Sequence, residues 1–157
     1  MESVPSNGYG SGEHRVMPIA IFEAITAHPD LNALGITPAT VFEAESLNAD
    51  NRPNVDAHFV TVRFLEQTIS AVVRRGPRAM EVAVHVDWTL TRDYTGINRI
   101  LNRVDAVLVP FEQVTGSDGI RVACIRPMGR SRNLTDPGWR TISRYATYSV
   151  LTDESAT

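Results

Sequence analysis

Glu81, His85 and Asp87 are the residues of this chain best suited by type and spacing to do chemistry. They stand at alternate positions of the run AMEVAVHVDW. Alternation places them on one face of a strand, and a histidine beside two carboxylates is a set that holds a divalent cation or moves protons. Alternate positions on a strand are roughly 7 Å apart, too far for all three to reach one ion without help from elsewhere. The polar residues of any solvated strand face line up in the same way, so the group is as well read as a strand surface.

No other constellation is stronger. His58 lies among apolar neighbours and reads as a core or boundary residue, and His28 precedes Pro29 at a helix end where it can contact free carbonyls. Ser131, Ser143 and Ser149 lack the elbow or adjacent base that a serine nucleophile needs. Asp136, Asp153 and Glu154 fall in a turn and a tail. Cys124 is the only cysteine, which excludes an intramolecular disulfide and a cysteine zinc site. The GYGSG run has no strand before it and makes a poor phosphate loop. The expectation is a protein with no catalytic residue, no cofactor and no metal site.

Two arginine groups remain. Arg74, Arg75 and Arg78 surround the Gly76-Pro77 turn, and Arg130, Arg132 and Arg140 surround the loop GRSRNLTDPGW. They suit a solvated turn, and equally a docking surface, because arginine and tryptophan are enriched where partners meet. In the second reading Asp136 pairs with an arginine of a neighbouring subunit and Trp139 supplies the anchor. The same loop charges would also suit DNA phosphates.

The elements that must position these groups follow from periodicity. At 157 residues the chain suits one domain with a real core. Residues 1–13, rich in Ser, Gly and Pro, read as a flexible arm, 14–152 as one domain and 153–157 as a disordered tail. A helix is expected over 18–28, ended by Pro29. An extended connection follows over 37–56. A strand over 57–65 carries apolar residues on both faces, and a cleaner one over 80–88 alternates Met80, Val82, Val84, Val86 and Trp88 with polar positions. Ile97, Ile100, Leu101, Val104, Val107 and Leu108 form a helical stripe within 93–110, opened by Asp93. Strands over 120–127 and 139–151 complete the set. Helix, strand, strand, helix, strand, strand predicts an α+β fold: a largely antiparallel four-stranded sheet with two helices packed on one face.

Composition narrows the class. A formal net charge of -3 argues against a free-standing nucleic-acid binder without excluding a local basic patch. All 15 basic residues are arginine, as a GC-rich genome would favour, and each offers a planar fork for bidentate contacts. No stretch approaches the roughly 20 apolar residues of a membrane span, and the N-terminus carries no secretory signal. A reducing cytoplasm is the expected site of synthesis.

The stretch RDYTGINRILNRVDAVL, the loop SRNLTDPGW and the ending RTISRYATYSVL resemble the tail terminator proteins of long-tailed (siphovirus-type) phages, closest to those infecting actinobacteria. The matching positions are Asp93, Tyr94, Thr95, Ile97, Ile100, Leu101 and Val104, then Leu134, Asp136, Arg144, Ala146, Tyr148 and Val150. The resemblance covers roughly residues 55–151 and implies a tail-terminator-like fold. It implies a virion structural protein assembled in the host cytoplasm as a homohexameric ring on the head-proximal end of the tail tube. Such a ring stops tube polymerisation, meets the head-tail connector or stopper protein, and lets genomic DNA pass through its lumen. The subunit, tube or connector interface would then fall on Arg74, Arg75, Arg78, Arg130, Arg132, Asp136, Trp139 and Arg140. Other readings are a different neck protein, such as a head-completion or stopper protein, a small metal-dependent enzyme using Glu81, His85 and Asp87, and a nucleic-acid-binding module.

Overall fold

A computed structural model describes residues 17–44, 47, 52–65 and 77–154. The expected arm over 1–13, Arg74, Arg75 and Gly76 lie outside the described residues. The elements are α1 (Ile19–Thr26), α2 (Pro29–Ala33), β1 (Val41–Glu43), β2 (Phe59–Phe64), β3 (Pro77–Asp87), α3 (Thr95–Leu108), β4 (Glu112–Thr115), β5 (Ile120–Arg130), β6 (Leu134–Asp136) and β7 (Thr141–Glu154).

The sheet therefore has seven strands rather than four, in the order β1-β2-β3-β7-β5-β4 with β6 also on β7. It is mixed, because β1 runs parallel to β2. Among the described residues there are three helices and not two. Each discrepancy has a local cause. The strands missing from the four-stranded expectation are three or four residues long, too short to show a period, and every residue of β4 is exposed. Pro29 does not only end the first helix: it is the first helical residue of α2, where a missing N–H costs nothing. His28 sits at the N-terminus of that helix, and its Nδ1 accepts from Asp30 N at 3.1 Å instead of meeting free carbonyls.

β7 organises the sheet. One edge pairs with β3 from Thr141 to Leu151. The other edge pairs with β5 from Ala146 to Glu154 and with β6 from Thr141 to Ser143, so β5 and β6 make one interrupted strand. Ser131 bridges the interruption: its N–H donates to Tyr145 O at 2.8 Å, and its Oγ accepts from Tyr145 N at 3.0 Å. β7 runs two residues past the expected domain end at 152, and Asp153 pairs there with Arg121.

The helices cover one face. Ile97, Ile100, Leu101, Val104 and Leu108 of α3 are all buried, as their spacing requires, against Met80, Val82, Val84, Ala146, Tyr148 and Val150. Burying each large aliphatic chain contributes about 2 kcal/mol. The N-cap of α3 is Tyr94, one residue later than expected, and Asp93 just before it accepts from Thr95 N through Oδ1 at 2.9 Å. The sheet side of α3 is also held by polar contacts: Asp105 accepts from both Tyr148 Oη and Arg130, and Asn98 Oδ1 accepts from Arg144 Nη1 at 2.6 Å.

α1 lacks a side-chain cap of its own. Asp118, in the turn between β4 and β5, supplies one by accepting from Ile19 N at 2.9 Å. The turn can approach because residue 116 is glycine. A Cβ there would lie 2.8 Å from Ala20 N and 2.9 Å from Asp118 Oδ1. Gly116→Ala must push the turn off the helix, and we expect a loss of about 1–3 kcal/mol in urea denaturation. Ser117→Ala, at an exposed neighbour, is the control and should be within about 0.5 kcal/mol of wild type.

Candidate functional site

Among the described residues no helix covers the opposite face of the sheet. On it β3 and β7 present Glu81 opposite Thr147, Ala83 opposite Tyr145, and His85 opposite Ser143. Arg63 of β2 reaches Glu81 with Nη2–Oε1 2.9 Å. Towards β5 the face carries exposed Arg126 and Met128, the latter 62% exposed. Small and polar side chains prevail, so the surface is half-buried and flat rather than greasy.

One end of this face forms a cavity of about 320 Å³ lined by Ala44, Leu47, Thr61, His85, Asp136, Gly138 and Trp139. Aromatic rings set its shape. His85 stacks on Phe59 with centroids 5.0 Å apart and planes at 14°. Trp139 leans over both, 5.4 Å from His85 and 6.0 Å from Phe59, and Phe42 meets Phe59 edge-on at 6.2 Å. Trp139 is fixed through its backbone: its N–H donates to Asp136 Oδ1 at 3.1 Å, and its carbonyl accepts from Arg52 Nη1 at 3.0 Å. Arg52 also pairs with Asp87 at 2.9 Å.

The electrostatics of the site follow from burial. His85 is 9% exposed, and desolvation lowers its imidazole to about 4; nearby Asp136 pulls upward and Arg52 downward. The ring is neutral near pH 7. Its Nε2 lies 3.0 Å from Thr61 Oγ1, and its Nδ1 has no hydrogen-bond partner among the described residues. Asp87 is held down to about 2 by hydrogen bonds from Thr89 and then by Arg52.

Glu81, His85 and Asp87 thus share a face as expected, yet each is engaged separately: Glu81 by Arg63, His85 by Thr61, Asp87 by Arg52 and Thr89. Among the described residues no group of three or more His, Cys, Asp or Glu is placed to hold a metal ion. Thr61 and His85 form a hydroxyl–imidazole pair of the kind that opens acyl-transfer chemistry. A general base is most effective with a pKa near the working pH and a carboxylate orienting its second nitrogen. His85 has neither.

The arginine positions separate. Arg130 turns inward to Asp105 at 2.6 Å, and Arg78 lies over the Phe64 ring at 4.7 Å. Arg132 is exposed in the break between β5 and β6. Arg140 adopts φ 58, the left-handed region that non-glycine residues avoid, and lies 6.0 Å from the Trp88 ring, which Arg92 also covers at 4.9 Å. Of the expected interface residues that are described, Asp136 and Trp139 alone line the cavity. The sequence reading missed Thr61 as another wall. It comes beside His85 through the β2–β3 register, which also places Phe59 opposite His85.

Taken together, the described residues form a mixed, mostly antiparallel seven-stranded sheet with one helical layer, an opposite face without helices and an aromatic cavity at the end of that face. No protein-family model matches the sequence, and no curated protein matches it at a significant level. The fold does have counterparts among solved structures. One is a chain of the virion of a native gene transfer agent particle, similar with a TM-score of 0.54 and 13% identity over 85% of this chain and 92% of that chain. At that identity the likeness is one of fold.

Proposed function

We propose that this chain is a structural protein of a phage or phage-like virion, and within that class a tail terminator. The observation that carries the reading is the nearly end-to-end fold likeness to a chain of a gene transfer agent virion. The tail-terminator-like pattern from Asp93 through Val150 supports the narrower role, and its residues have structural work: Tyr94 donates to Leu134 O, Arg144 to Asn98, and Tyr148 to Asp105.

The proposed mechanism is one of shape. Ring closure requires two different surfaces that fit each other head to tail. The open sheet face and the edge strands β1 and β4 are distinct surfaces available for such contacts. A ring seated on the last layer of the tail tube would present an upper surface that accepts no further tube protein, and would meet the connector or stopper with that surface while DNA passes through the lumen. No bond is made or broken.

Mixing the purified protein with polymerising tube protein tests this. At stoichiometric ratios tubes should be markedly shorter than in the control, as seen by negative-stain imaging. Unchanged tube length would remove the terminator role. Binding to the portal-side adaptor without effect on tubes would instead assign the chain to the neck as a head-completion or stopper protein.

A further inference from the structure

We propose that the cavity between the β6–β7 turn and the side chains of Ala44 and Leu47 receives an arginine side chain from a second copy of this chain. This rests on the self-assembly part of the reading above and gives it a chemical contact. Among the described residues Asp136 is the only carboxylate lining the cavity. Its Oδ1 is taken by Trp139 N, while its Oδ2 has no partner among the described residues. The walls beside it are the flat rings of Trp139 and His85 and the aliphatic chains of Ala44 and Leu47.

A guanidinium fits this combination better than other groups. Its faces stack on aromatic rings, its edge donates to a carboxylate, and it sheds water more readily than an ammonium. Neutral His85 adds no repulsion at the floor. A carboxylate would meet Asp136 directly, and a wholly apolar side chain would leave that carboxylate desolvated and unpaired. The chain also carries the matching half. Its basic residues are all arginine. Arg99, Arg126 and Arg132 are exposed, with no side-chain partner among the described residues. Arg99 stands on α3, on the helical side of the sheet, so its contact with the cavity of a second copy joins unlike faces, as head-to-tail closure demands.

Asp136→Asn is the informative variant because the amide keeps an Oδ1 acceptor for Trp139 N and loses only the charge. Wild type and Asp136→Asn are compared by mass photometry across a dilution series, with circular dichroism to verify the fold. Loss of a partly exposed interfacial charge pair should raise the concentration at which oligomers dissociate by about tenfold or more. In parallel, N-acetyl-arginine amide should dissociate wild-type oligomers at a concentration about tenfold below that of the isosteric, uncharged N-acetyl-citrulline amide. Oligomers that tolerate Asp136→Asn within twofold, or that respond equally to the two amides, overturn this inference and leave the ring reading standing. A wild-type protein that stays monomeric at every concentration overturns both.

Discussion

Lowering the pH from about 7 to about 4 should remove about 3 kcal/mol of folding stability through His85 alone. The imidazole is held near 4 in the folded chain against 6.5 when free, chiefly because burial penalises the charged form. Between those two values the unfolded chain binds a proton that the folded chain refuses. Stability is therefore full above pH 6.5 and falls continuously as the pH descends towards about 4. His58, half-buried beside Gly96, is shifted the same way by burial and adds to the slope. Asp87 works in a separate window, because its depressed carboxyl loses stability only below its ordinary value of 3.8. Urea unfolding at a series of pH values is the measurement. His85→Phe, which keeps a ring against Phe59, should flatten most of the slope above pH 4. An unchanged slope in that variant would mean that His85 is protonated in the folded protein.

Asp105→Ala should cost about 2–3 kcal/mol, a large fraction of the stability of a domain of this size. Asp105 is half-exposed, but it accepts from the Tyr148 hydroxyl at the inner end of a fully buried side chain and from Arg130 at the end of β5. Removing it leaves the hydroxyl and a guanidinium without their acceptor, and the desolvation of both is then uncompensated. The phenol already titrates far above its ordinary value, first through burial and then through the Asp105 carboxylate. Tyr148→Phe removes the donor with the ring in place and should cost only about 1 kcal/mol. The double variant should be less damaging than the sum by about 1 kcal/mol, since each change removes the same bond. Strict additivity in the cycle would show that Asp105 stabilises α3 through something other than Tyr148.

What could be read from the residues depended on the length of each pattern. α3 is legible because five buried positions repeat through fourteen residues, and β3 because its inward side chains alternate through eleven. β1 and β6 have three residues each, and β4 has four exposed ones, so no period can rise above chance there. Proline misled twice: Pro29 opens a helix, and Pro127 lies inside β5 at a register shift instead of ending it. Extending β5 to residue 130 also places Arg130 in a strand, where it pairs with Asp105, and not in the loop that its composition suggested. Asp136 and Trp139 could be singled out as residue types in a turn. Their meeting with Thr61 and His85 could not, because the register of β2 on β3 is hidden behind a long intervening segment.

β7 has a consequence for biosynthesis. β3 and β5 do not touch in the sheet except through this strand, which occupies positions 141–154. A nascent chain made as far as residue 140 holds β1–β3 and β4–β5 as unjoined fragments with bare hydrogen-bonding edges. The open sheet face exists only once β7 has emerged from the ribosome and slotted between them. Until then the bare edges of β3 and β5 are open to mispairing, and the arrival of β7 removes both at once.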